Sequence, residues 1–88
     1  MKAILWSKYH CPFCDQAKAL LKNRDIPFEE VKIDEDNEAR EFILSKGHRA
    51  VPQIYYNGQL FVEGGFQGLS KLTEADIRQR MSTNLGTL

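Results

Sequence analysis

The 88-residue chain has no second pair of cysteines to set beside Cys11 and Cys14. A structural zinc site needs four ligands, so a four-cysteine centre is excluded, and a disulfide framework has no further thiols to build from. His10 and His48 are the only other candidate ligands, and His10 adjoins Cys11 too closely to chelate comfortably with it. No apolar run approaches the length of a membrane span, and Met1-Lys2-Ala3 does not open a signal peptide's apolar region. The expectation is a cytoplasmic, reducing compartment, where a CxxC pair is catalytic more often than structural. Net charge is missing as well. Twelve basic residues cancel 12 acidic ones, so neither nucleic acid nor an anionic membrane is expected as a partner. What remains is an ordinary globular composition, 42% apolar and 27% charged, sized for one domain over residues 1–88.

What the chain does contain is concentrated in Lys8-Tyr9-His10-Cys11-Pro12-Phe13-Cys14. The apolar run Ala3-Ile4-Leu5-Trp6 precedes it, and a helical pattern from Pro12 to about Asn23 follows, with Ala17, Leu20 and Leu21 inward and Lys18 and Lys22 on the wet side. The two thiols therefore stand where a buried strand hands over to a helix. Proline suits the first helical position, where its missing N–H would have had no partner. Cys11 then falls at the N-cap, where free N–H groups and the positive end of the helix dipole point at its sulfur. Such settings lower a thiol from a pKa of about 8.5 to roughly 3.5–7.5, and the thiolate is the attacking species in disulfide exchange. Cys14 lies one turn further in, on the same side and less exposed. Cys11 is read as the nucleophile and Cys14 as the resolving thiol. A purely structural disulfide is the weaker reading, because so small a loop constrains the unfolded chain very little.

Charge is uneven along the chain. Residues 1–24 carry Lys2, Lys8, Lys18, Lys22 and Arg24 against Asp15 alone, whereas residues 25–41 carry eight acids against Lys32 and Arg40. A positive face around the thiols would suit both a thiolate and an anionic substrate. Two solvated faces of opposite sign would leave the same signature.

Beyond the first helix, Asp25-Ile26-Pro27 is a break, and Phe28 to Ile33 reads as a second strand with Val31 and Ile33 sharing a face. Strand, helix, strand makes a βαβ unit with parallel strands and a right-handed crossover. Asp34-Glu35-Asp36-Asn37 caps a second helix from about Glu38 to Lys46, with Ala39, Phe42 and Ile43 inward and Gly47 at the left-handed stop. Asn57-Gly58 between the runs Val51–Tyr56 and Gln59–Val62 is a strong hairpin signal. Gly64-Gly65 ends the last strand and leads into Phe66, with Leu69 and Leu72 expected on the core. Thr73-Glu74-Ala75-Asp76 caps a final helix to about Ser82 that buries Ile77 and Met81, and Thr83 to Leu88 is expected to fray.

A βαβ unit followed by a helix and a ββ hairpin, with CxxC at the first strand–helix junction, resembles the thioredoxin fold. Within it the sequence is most similar to the glutaredoxins, from Lys2 to about Met81. Ser7-Lys8-Tyr9-His10-Cys11-Pro12-Phe13-Cys14 is similar to the dithiol signature of that family, Arg49-Ala50-Val51-Pro52 to its Arg-Thr-Val-Pro segment, and Gly64-Gly65-Phe66 to its double-glycine turn. The resemblance implies an α/β fold: a four-stranded mixed sheet flanked by about three to four helices. It implies a glutathione-dependent oxidoreductase that acts as a monomer on protein disulfides, ribonucleotide reductase among them, and on glutathione mixed disulfides. Glutathione is then the co-substrate, and no bound cofactor or metal is expected.

The same resemblance assigns further residues. Pro52 would be a cis-proline facing the disulfide. The Val51 backbone would pair, strand-like, with the cysteinyl part of glutathione. Lys8 would meet the glycyl carboxylate, with Arg49 as a second cation, while Tyr9 and Phe13 flank the sulfur as cleft walls. Gly65, Phe66 and Gln67 would face the γ-glutamyl end, where backbone N–H groups suit a carboxylate. His10 is read as solvated. Two departures stand out: Ala50 replaces a usual threonine, and Gln67-Gly68 replaces an aspartate that would pair with the glutathione ammonium. A neutral amide is roughly half as strong a partner. These departures leave open a redoxin reduced by thioredoxin reductase, whose Gly-Phe pattern Gly65-Phe66-Gln67 also fits. A third reading is an iron–sulfur carrier, against which Cys14 and Pro12 argue.

Overall fold

Strand β1 (Ala3–Ser7) takes the middle of the fold because its residues are apolar on both sides of the ribbon. The computed structural model describes residues 2–86, with side chains to residue 81. It pairs β1 parallel to β2 (Phe28–Lys32) and antiparallel to β3 (Gln53–Tyr56). With β4 (Gln59–Val62) these form a four-stranded mixed sheet in the order β2-β1-β3-β4. Four helices accompany it: α1 (Pro12–Asn23), α2 (Asn37–Ser45), α3 (Gly65–Ser70) and α4 (Glu74–Gly86). The crossover through α1 is what allows β1 and β2 to run parallel. This is the thioredoxin fold.

The sheet is covered unequally. Ala3, Leu5 and Ser7 alternate onto the fully buried face, where Leu21 of α1, Ile54, Phe61 and Leu69 of α3 fill the core. Ile4 and Trp6 point the other way and are only half-buried, although Trp6 stacks on Phe42 of α2 with ring centroids 4.7 Å apart. The apolar run of β1 predicts full cover on both faces; α2 alone supplies the second cover only incompletely. Local signals otherwise act as expected. Asn57 and Gly58 both take positive φ, 55° and 81°, as a tight hairpin turn requires. Thr73 and Asp76 cap α4 reciprocally: each backbone N–H donates to the other's side chain at 3.1 Å.

Several boundaries differ: β2 ends at Lys32 instead of Ile33, and α2 spans Asn37–Ser45, one residue ahead of the expected Glu38 to Lys46. β3 begins at Gln53, because the Pro52 nitrogen has no hydrogen to give a ladder. Residues 65–70 form a short helix where the sequence shows only a turn and two inward leucines. The last helix runs to Gly86, past the expected end near Ser82, and residues 87 and 88 of the expected fraying tail lie outside the described residues.

One polar cluster sits inside the β1–β2–α1 corner. The Ser7 hydroxyl, fully buried, donates to Glu30 Oε2 at 2.6 Å. Lys18 Nζ from α1 and Lys32 Nζ from β2 each approach the same oxygen to 3.2 Å. Lys18 is thus drawn inward from the solvated face that its helical position predicts, since a half-buried carboxylate needs a counterion. Burial pushes the Glu30 carboxyl up, but hydrogen bonds from Ser7, Lys32 and Lys18 outweigh it and hold the group below its usual range. A folded-state pKa below the unfolded one stabilises the fold fully above the ordinary Glu range, and the contribution fades as pH falls through the lowered value. The stability gap between wild type and Glu30→Gln, measured by urea unfolding, should therefore be widest near neutrality and shrink below about pH 4. A gap unchanged down to about pH 2.5 would show that the ionised carboxylate is not its source.

Candidate active site: a dithiol at a strand–helix junction

His10 adopts a left-handed conformation, φ 55°, which histidine tolerates better than most residues, and so turns the chain out of β1. Cys11 follows as the N-cap of α1 in extended geometry, φ −122° and ψ 96°, with Pro12 in the first turn. The Cys14 backbone N–H donates to Cys11 Sγ at 3.2 Å, and the Asp15 N–H donates to the Cys11 carbonyl at 3.1 Å. The first thiol thus occupies the place of a capping oxygen. Cys11 and Cys14 are joined as a disulfide, their Cα atoms 5.2 Å apart. Cys11 keeps 7% of its surface exposed against 1% for Cys14. Cys11 is thus the more accessible residue of the pair.

Opposite the sulfur stands the Val51–Pro52 peptide, which is cis. The Val51 carbonyl oxygen lies 3.9 Å from Cys11 Sγ, a weak acceptor for the S–H when the pair is reduced. A cleft of about 240 Å³ opens here, walled by Phe13, Val51, Pro52, Gly65, Phe66 and Gln67. Phe13 is half exposed and stacks on Phe66 across the cleft, centroids 6.2 Å apart. Gly65 has φ 57°, and a Cβ there would fall 2.6 Å from the Pro52 carbonyl oxygen. Only glycine lets α3 seat directly on the proline.

A second hollow, of about 220 Å³, shares Ala50 and Val51 with the first and is lined by Lys8, Arg40, His48 and Arg49. Lys8 and Arg49 thus line one hollow together with Arg40. Arg40 carries no signal in the sequence: on α2 it looks like one more solvated charge, and only the packing of α2 beside the Val51 segment brings it here. His48 Nε2 lies 2.8 Å from the Tyr55 hydroxyl.

Tyr9 goes elsewhere. Its N–H donates to Asp34 Oδ2 at 3.0 Å, its hydroxyl donates to Glu35, and Lys32 Nζ sits 4.3 Å from the ring centroid. The hydrogen bond and charge of Glu35 raise the phenol above its ordinary pKa. Tyr9 therefore braces the loop before Cys11 against the β2–α2 connection and does not line the cleft. It also brings acids close to the thiol loop, so the surroundings of the dithiol are less uniformly positive than the linear charge pattern implies. A larger cavity, about 540 Å³, lies across the sheet between Trp6, Phe42 and Tyr55 and includes neither cysteine.

Known proteins carry the same pattern. The sequence model of the glutaredoxin family matches residues 3–61. A probable glutaredoxin of Synechocystis is 48% identical over 56 residues, covering 61% of this chain and 61% of that protein. A second probable glutaredoxin of Synechocystis is 36% identical over 88 residues, covering 98% of this chain and 76% of its own length. The solution structure of a glutaredoxin from Brucella melitensis superposes with a TM-score of 0.71 at 28% identity, over 100% of this chain and 94% of that one. The chain belongs to the glutaredoxin family, and its Cys11–Cys14 pair makes it a dithiol member.

The Gly65–Pro52 contact gives a direct test. Gly65→Ala should destabilise the fold by about 1–2 kcal/mol from the left-handed backbone alone, and should widen the cleft as the new Cβ pushes against the Pro52 carbonyl. Urea unfolding with parallel activity measurements checks both effects; a variant as stable and as active as wild type would contradict the packing described.

Proposed function

We propose that the chain is a glutathione-dependent thiol–disulfide oxidoreductase that reduces protein disulfides and glutathione mixed disulfides. The observation that carries this reading is the meeting, at Val51 beside Cys11 Sγ, of a backbone-lined apolar cleft and a hollow bearing Lys8, Arg40 and Arg49. Glutathione has matching groups. Its cysteinyl unit suits the Val51 backbone as an added strand, its glycyl carboxylate suits the cations, and its γ-glutamyl end reaches toward Gly65, Phe66 and Gln67.

In the proposed cycle the Cys11 thiolate attacks one sulfur of a substrate disulfide. The S–S bond breaks, the departing thiolate takes a proton, and a mixed disulfide remains on Cys11. Cys14, as thiolate, attacks Cys11 Sγ and releases the second substrate thiol, leaving the internal disulfide. One glutathione thiolate then opens that disulfide at Cys11, and a second removes the first as oxidised glutathione. Two electrons enter from two glutathiones, so no resident cofactor is required. The proposal includes action as a monomer in a reducing cytoplasm, with ribonucleotide reductase among the protein substrates.

One observation favours the alternative of a redoxin reduced by thioredoxin reductase: no carboxylate lines the cleft among the described residues, and Gln67 offers only a neutral amide to the glutathione ammonium. Turnover of a glutathione mixed disulfide, with glutathione and glutathione reductase supplying electrons, separates the two. Rapid turnover supports the glutathione reading; folded protein with reactive thiols and no turnover transfers it to thioredoxin reductase. Cys11→Ser should reduce every activity to background, whereas Cys14→Ser should keep deglutathionylation and lose reduction of protein disulfides. Retained turnover in Cys11→Ser would remove Cys11 as nucleophile.

A further inference from the structure

We propose that Glu30 is a positioning residue for the Cys11–Cys14 pair, the hub of a polar cluster that grips the chain on both sides of the two thiols. On the upstream side, Glu30 receives the hydrogen bond of Ser7, the last residue of β1, at 2.6 Å. Its second upstream link runs through Lys32, whose ammonium lies 3.2 Å from Glu30 Oε2 and 4.3 Å from the ring centroid of Tyr9, two residues before Cys11. On the downstream side it holds Lys18, one helical turn beyond Cys14, whose ammonium also lies 3.5 Å from Asp15 Oδ1. Glu30, Lys18 and Lys32 keep only 24%, 26% and 22% of their side chains exposed, so the contacts are not loose surface pairs.

The gripped segments are the ones whose relative placement matters. Capping of Cys11 Sγ by the Cys14 N–H, at 3.2 Å, requires the loop before Cys11 and the first turn of α1 to keep a fixed relation. Residues 8–10 belong to neither strand nor helix. Tyr9 ties this loop down, through Asp34, Glu35 and Lys32. Releasing Glu30 frees Lys32 from one side and Lys18 from the other, and the sulfur loses its fixed relation to the helix start.

Charge and position predict opposite signs. Around the pair stand Lys8 and His10 in the loop, Asp15 and Lys18 on α1, Glu30 and Lys32 on β2, Asp34 and Glu35 beyond it, and Arg49 beside Val51. By charge alone, neutralising Glu30 leaves two ammonium groups less compensated and should favour the Cys11 thiolate. By position, it should disfavour the thiolate.

The test is the pH dependence of alkylation of the fully reduced protein, with peptide mapping of the cysteine modified first. Glu30→Gln should move the titration to higher pH, so that near pH 6 the alkylation rate falls about two- to fivefold, the range of one interaction with a helix terminus. Ser7→Ala changes no charge and should move the titration in the same direction; it decides alone if Glu30→Gln does not fold. An unmoved or lowered titration overturns the proposal. The inference rests on Cys11 as the attacking thiol. First modification of Cys14 in wild type would sink that assignment, whereas first modification of Cys11 with an unmoved profile in the variants sinks only the role of Glu30.

Discussion

A thiol becomes a useful nucleophile near neutral pH only if positive potential reaches its sulfur more strongly than water would supply it. Here that potential comes from the start of α1, through the Cys14 N–H at 3.2 Å from Cys11 Sγ. A helix terminus favours a negatively charged group by up to about 2 kcal/mol in a partly buried setting, so the start of α1 is the feature that would favour a thiolate at Cys11 once the pair is reduced. The surrounding arrangement keeps this geometry available. β1 delivers the chain to the junction, His10 turns it, Pro12 starts the helix without a wasted donor, and Cys14 waits one turn below.

The walls of the cleft answer a different requirement. A sulfur poised at a helix start would be of little use if its partner could approach from any direction. The Val51–Pro52 segment fixes one side of the approach, and α3 is seated against Pro52 by the absence of a side chain at Gly65. Gly68, three residues on, permits a similar close approach: a Cβ there would overlap the Glu63 carbonyl oxygen at 1.8 Å. Two glycines in a six-residue helix are poor helix formers, so the element exists because its backbone packs closely, not because its sequence prefers the conformation.

That contrast explains which features are legible in the sequence. The dithiol junction, the Asn57-Gly58 turn and the Thr73–Asp76 cap are set by residues within a few positions of one another, and each appears where local chemistry puts it. α3 is invisible as a helix in the sequence because its cause is a contact with Pro52, 13 positions earlier. Helical periodicity puts Lys18 in solvent because it takes no account of Glu30, its partner, 12 positions away on another element. Proximity along the chain suggests a place for Tyr9 beside the sulfur, whereas its side chain follows Asp34 and Glu35, more than 20 positions on. Arg40 has nothing to distinguish it until α2 is folded against the Val51 segment. Short-range signals locate the chemistry; long-range pairing decides how it is braced.

The order β2-β1-β3-β4 places β2 and β4 at the edges of the sheet, and the two are protected differently: Arg80 of α4 donates to the Phe61 carbonyl of β4 at 2.8 Å. β2 exposes Glu29 and commits Glu30 and Lys32 to the polar cluster with Ser7 and Lys18, so a foreign strand docking there would have to strip water from one charge and disturb a paired set. β4 is short, four residues, and its pairing with β3 is broken by an irregularity at Ile54/Tyr55 that twists the ribbon away from a flat template. Each border therefore resists the docking of a foreign strand by its own means.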